Sequence, residues 1–315
     1  MATGTRTWIG GKTAATTDFN QADNYAEAAK PITNDNLYYP SQNAYGVDTN
    51  IAQSAIDLNS LVVEQGSPVQ IGTLSAAGVP TYLEIGLNGV DDPGGDTLKM
   101  LDYGGTGACY FDIDDSSEIK IRSAASGGTY TYGLVLVGTG NTVCDIVAST
   151  IQPGTNKIGL APFGGGSFDC DAVNIAAHQV YLGKGCNASG SAVPLTISGG
   201  TVFSECALAA STVSGGGLTI RRGAVAGLTI SNATVSYEGN GVLTSLVLDT
   251  RGVLDASVGT GSIGSIPSTF QMHSGSSFID PLGRFGNVKI EFVGCDAGEV
   301  TIDTPNSKFI TFSDS

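Results

Sequence analysis

The sequence predicts an all-β chain wound as a parallel β-helix (β-solenoid), with an irregular N-terminal zone and an aromatic-rich C-terminal cap. Three observations predict it. Short apolar runs recur with small residues on their flanks, among them Leu61-Val62-Val63, Tyr82-Leu83-Glu84-Ile85, Ile119-Lys120-Ile121, Leu134-Val135-Leu136-Val137 and Gln179-Val180-Tyr181-Leu182. Their period of two and their β-branched content are those of strands. The triplet Leu195-Thr196-Ile197 then returns as Leu218-Thr219-Ile220, Leu228-Thr229-Ile230 and Leu246-Val247-Leu248, each followed within a few residues by Gly, Asn or Asp. Finally, Gly supplies 45 of 315 residues and charged side chains only 14%, against roughly 7% and 25% in ordinary chains.

Residues 1–57 are polar and carry an aromatic set of Trp8, Phe19, Tyr25, Tyr38, Tyr39 and Tyr45. A short helix is expected over Asp18–Lys30, ended by Pro31. Residues 58–250 carry the repeats. The step from Leu195 to Leu218 is 23 residues, and self-similarity at about 20–25 residues is the signature of a solenoid. Such a triplet cannot bury its inward side chains alone. Stacking coils roughly 4.8 Å apart pairs the backbones and closes a core. Leu195 and Ile197 are expected to point in and Thr196 out, with Gly at the corners where a positive φ is needed. Residues 251–315 gather Phe270, Phe278, Phe285, Phe292, Phe309 and Phe312. They read as a cap over the open sheet edge or as a subunit contact. A pair of sandwiches or jelly rolls is the rival all-β reading.

Composition excludes several function classes. Fourteen Lys and Arg face 29 Asp and Glu, a net charge of −15, and the adjacent cations Arg221-Arg222 stand apart from any basic cluster. Nucleic acid is therefore not an expected partner. No apolar run approaches the roughly 18 residues of a membrane helix, so no membrane is expected either. The opening Met1–Trp8 lacks the basic and apolar regions of a secretory signal, which predicts synthesis in a cytoplasm. Cys109, Cys144, Cys170, Cys186, Cys206 and Cys295 form no C-x-x-C. Buried, reduced thiols are expected, with a bridge such as Cys170–Cys186 open after release.

The N-terminal zone resembles phage-encoded virion β-solenoid proteins of the head-decoration, cement or spike type. The resemblance rests on Thr7-Trp8-Ile9-Gly10-Gly11, Asp18-Phe19, Asn24-Tyr25, Pro31, Asn34-Asp35, the first runs Leu58–Val63 and Ile71-Gly72, and the Gly/Thr-rich repeat style of Leu195–Gly200. Phe19 and Tyr25 stand where that pattern often has Trp. The resemblance implies a structural virion component made in the host cytoplasm. It would bind the major capsid protein or other virion subunits, as a homotrimer, and it brings no catalytic motif and no cofactor. Trp8, Tyr25, Tyr38 and Tyr39 are then the expected interface anchors, or else a small local core.

Two alternatives stay open: a tail-spike-like protein that binds or cleaves polysaccharide, and a bacterial surface adhesin. For a spike enzyme the candidates are Asp112 and Asp114, and Asp169 and Asp171. Each pair shares a strand face, and two near carboxylates can divide acid and base roles on a glycosidic bond. The plain reading of both pairs is a solvated turn or outer strand face. Val90–Asp96 offers oxygens for Ca²⁺ but lacks a bidentate Glu at the right offset and reads as a plain turn, and no metal is expected. His178 and His273 are the chain's two imidazoles, and His178 is expected to be structural. Gly164-Gly165-Gly166 and Gly215-Gly216-Gly217 lack the lysine of a phosphate loop and read as coil corners. Asn187-Ala188-Ser189 and Asn232-Ala233-Thr234 fit the glycosylation pattern by coincidence.

Overall fold

A computed structural model describes residues 4–11, 17–42, 45–74, 80–87, 100–122, 132–148, 157–263 and 267–305. They form an all-β parallel β-solenoid in two compact units, Met1–Ala172 and Val173–Ser315. No α-helix occurs among the described residues.

In the first unit, one face stacks Thr5–Thr7, Asn36–Tyr39, Ser60–Val63, Met100–Tyr103, Glu118–Ile121 and the end of Tyr132–Ile146, all parallel. The second face stacks Ala52–Asp57, Leu83–Gly86, Cys109–Asp114, the start of Tyr132–Ile146, and Lys157–Leu160. Alternation puts every second side chain inside. Leu37, Leu61, Leu101, Ile119 and Cys144 stand in register as one inward column, and Leu83, Phe111, Leu136 and Leu160 as another. All nine are fully buried, at about 1.5–3 kcal/mol for each large side chain removed from water.

In the second unit the column Ile175, Ile197, Val213, Ile230, Leu248, Met272 and Phe292 lines one face. Val180, Val202, Leu218, Val235, Leu254 and Phe278 line the other. A third, one-residue-wide column of Val193, Leu208, Val225 and Leu243 closes the core. Leu195 and Ile197 are buried and Thr196 is exposed, as the alternation predicts. Stacking runs on to Thr301–Asp303. Phe270 and Phe278 thus sit inside rungs, their rings edge to face at 4.9 Å, and Phe278 meets Phe285 in the same way at 5.4 Å. Phe309 and Phe312 lie outside the described residues.

Two expectations need correction. The 23-residue step does not join stacked residues. Leu195-Thr196-Ile197 lies on one face with Leu228-Thr229-Ile230, whereas Leu218-Thr219-Ile220 pairs with Thr201–Ser204 on the other. A coil here takes 16 residues from Ile197 to Val213 and 17 from Val213 to Ile230. Both faces use the same triplet, so the 23-residue step is one coil plus a change of face. The helix over Asp18–Lys30 is only a 3-10 turn at Ala22–Asn24. Its backbone is bound elsewhere: Ile9 N–H donates to the Asn24 carbonyl at 2.8 Å and Ala26 N–H to the Thr7 carbonyl at 2.9 Å. Trp8 and Tyr25 form an antiparallel bridge in between.

The corner at Gly215-Gly216 requires glycine. Gly216 has φ +68°, and a Cβ there would collide with the backbone of Gly199 and Gly200 in the coil beside it. Tight stacking of successive corners leaves no room for a side chain.

Candidate functional site

The pocket that gathers candidate chemistry lies on the outer side of the second face of the first unit. It has a volume of about 520 Å³ and is lined by Asp112 and Asp114, the rings of Tyr82 and Phe163, Thr139, and the Gly164–Ser167 turn, among others. Cys109–Asp114 alternates, so Asp112 and Asp114 both face outward while Ile113 is buried between them. Two residues along a strand separates their Cα atoms by about 7 Å. Asp112 stands between Glu84 and Val137 on the neighbouring strands, and Asp114 is opposite Gly86.

Gly138 and Gly140 shape one wall. Both have positive φ, +127° and +72°, and there Tyr132–Ile146 leaves the second face for the first. A Cβ on Gly138 would strike the Ile113 carbonyl. The bend turns Thr139 toward Asp114, whose Oδ1 accepts from Thr139 N–H at 2.7 Å and from its hydroxyl at 2.9 Å. The other wall is aromatic. Tyr82, Tyr132, Phe163 and Leu74 pack on buried Tyr110, Val135 and Ala108, and Tyr132 and Phe163 meet edge to face at 5.7 Å. A small second core therefore covers this stretch of the sheet from outside.

That cover sets the electrostatics. Partial burial pushes the Asp112 carboxyl up to about 6, with the charges of Asp114 and Glu84 adding to the effect. Burial also pushes the Tyr82 phenol up to about 12, helped by Asp112 and Tyr110. A carboxyl that holds its proton near pH 6 beside a hydrogen-bonded carboxylate can donate and accept within one site. Aromatic faces, hydroxyls and carboxylates suit a polyhydroxylated ligand.

The remaining candidates lie elsewhere. Asp169 and Asp171 do not line this pocket. They flank Cys170, where their charges act with that of Asp145 on its thiol, so the two carboxylate pairs do not form one site. Of the expected interface anchors, Trp8, Tyr25 and Tyr39 are buried in the chain's own core. The Trp8 indole donates to the Tyr45 carbonyl at 3.0 Å and the Tyr25 hydroxyl to the Phe19 carbonyl at 2.8 Å. Tyr38 lies on the outward side of Asn36–Tyr39. His178 occupies a corner with φ +70°, and its carbonyl accepts from Thr201 N–H at 2.8 Å. Val90–Asp96 lies outside the described residues. Among the described residues, no group of three or more His, Cys, Asp or Glu could hold a metal ion, and no helix is long and apolar enough to cross a membrane.

No family model matches this chain. No curated protein and no solved structure matches it either.

The sequence alone missed Tyr82, Phe163 and Thr139. Tyr82 heads the run Tyr82-Leu83-Glu84-Ile85 but lies just before its strand, Phe163 sits in a turn, and Thr139 follows a glycine bend, so nothing in the alternating pattern joined them to the carboxylates. The Gly138-Thr139-Gly140 break within an apolar run was the one signal available.

Proposed function

We propose that this chain is a structural component of a phage virion, a rigid β-solenoid that decorates or projects from the shell. The observation that carries this reading is the unbroken inward column in each unit, which leaves each unit's core little interior freedom. The N-terminal resemblance to virion β-solenoids and the net charge of −15 fit the same role. Contacts with the major capsid protein or other virion subunits, homotrimeric assembly and residence in the virion belong to this proposal. Electron microscopy of intact particles tests it. Solenoid density at fixed positions on the particle exterior is expected, and particles that lack the chain altogether would overturn the role.

A second reading has its own observation. Asp112 and Asp114 share a pocket with Tyr82 and Phe163, a layout suited to binding or cleaving a polysaccharide. The test is depolymerisation of host envelope polysaccharide. Activity that disappears in both Asp112→Asn and Asp114→Asn would favour a spike. No activity in the intact chain would remove the cleavage reading.

A further inference from the structure

We infer that Cys186 and Cys206 are a disulfide-forming pair that staples two successive coils of the second unit when the chain meets an oxidising medium. Gln179–Leu182 and Thr201–Ser204 stack in parallel, Leu182 beside Ser204, and Glu205 N–H donates to the Leu182 carbonyl at 2.9 Å. Both chains then turn the same corner and meet again where Val193 pairs with Leu208. Cys186 and Cys206 lie in these two stacked corner segments, 6% and 3% exposed. Their thiols are in hydrogen-bonding contact, and the Ser204 hydroxyl lies 3.5 Å from the Cys206 sulfur. Coils stack at about 4.8 Å and a disulfide spans Cα atoms roughly 4.4–6.8 Å apart, so a bond between adjacent coils is within reach.

The other thiols differ. All six cysteines are thiols in this structure. Burial drives Cys109 and Cys170 up to about 12 and Cys144 well above its ordinary value. Cys206 is held below its ordinary value, because the Cys186 thiol and the Ser204 hydroxyl donate toward its sulfur. It is therefore the better nucleophile at neutral pH. The sequence leaves a bridge such as Cys170–Cys186 open after release; the pair inferred from the structure is Cys186 with Cys206.

The oxidant required is a small-molecule disulfide such as oxidised glutathione. The Cys206 thiolate attacks one of its sulfurs, forms a mixed disulfide and expels one glutathione thiolate. The Cys186 thiolate then attacks the Cys206 sulfur and expels the second. Two protein thiols are oxidised by two electrons, one glutathione disulfide is reduced to two glutathiones, and the protons of the protein thiols end on these.

The test uses the full chain, purified reduced and then incubated folded with oxidised glutathione. Thiol titration after denaturation, peptide mapping without reductant and thermal melting are read together. The expected result is loss of two of the six thiols, a peptide joining Cys186 to Cys206, and a melting midpoint that rises and returns on reduction. Cys206→Ser should keep its fold and form no such bond. Retention of all six thiols overturns the proposal, as does mapping of the two lost thiols to any other cysteines. The mapping is done on the unmodified sequence, so the result does not depend on the variant folding.

Discussion

The two units solve the same packing problem with coils of different regularity. In the second unit, successive inward residues Ile175, Ile197, Val213, Ile230, Leu248, Met272 and Phe292 follow at 22, 16, 17, 18, 24 and 20 residues. In the first, Leu37, Leu61, Leu101 and Ile119 follow at 24, 40 and 18. The inward columns are equally buried in both. The difference lies outside the columns, where the first unit's longer excursions include the Thr73–Leu74/Pro80–Thr81 hairpin and, just beyond it, Tyr82. Short coils leave a plain outer face, and long coils bring extra side chains back over it. Chemistry in such a fold is built by what the coils add outside, on a scaffold that the columns keep rigid.

The largest effect should come from Arg284, which ties the second unit together. The residue is 4% exposed, and its guanidinium donates to the carbonyls of Tyr237, Ala256, Gly261, Glu238 and Gly239. Arg284→Met strands several buried acceptors, at about 1–3 kcal/mol for each unsatisfied group. Unit-selective unfolding in denaturant should show the second unit lost first by a wide margin. A change below 1 kcal/mol would mean that water or neighbouring groups replace the guanidinium.

Next come the columns themselves. Leu218→Ala in the second unit and Leu101→Ala in the first should each cost about 2–5 kcal/mol, read from the denaturation midpoint. Similar losses support equally tight columns. A markedly smaller loss at Leu101 would show that the irregular coils relax around a cavity.

A smaller effect is expected from pH at the pocket. The folded-state value of Asp112 is raised above that of an ordinary aspartate. Its contribution is therefore complete below about pH 4 and is lost as pH rises through about 6. Asp112→Asn should flatten that part of the stability profile, and the amount is reduced by the solvent that still reaches the group. An unchanged slope between pH 4 and 6 would remove the electrostatic account of the pocket. The smallest change belongs to exposed Asp171, where Asn should alter stability by less than about 0.5 kcal/mol.

The strands were legible in the sequence because period-two alternation survives any register. Asp112 and Asp114 were legible for the same reason, since residues two apart on a strand share a face wherever the strand lies. Register was not legible, because Leu-Thr-Ile serves both faces and the spacing alone does not say which triplets stack. The aromatic wall of the pocket was hidden too, as Phe163 reaches it from a connection and the run headed by Tyr82 does not say that its ring folds over the carboxylates. In the N-terminal zone, Trp8 and Tyr25 gave the right residues for a packed cluster. The local helix did not form because their backbones pair across the chain.

Register is also what the account stands on, and cross-linking reads it directly. Thr212 and Thr229 are in register on adjacent coils, whereas Thr196 and Thr219 lie on different faces despite their 23-residue spacing. Cysteines placed at Thr212 and Thr229 should join rapidly under mild oxidation, mapped by peptide analysis, while a pair at Thr196 and Thr219 should stay apart. Ready joining of Thr196 to Thr219, with none between Thr212 and Thr229, would contradict the stacked columns.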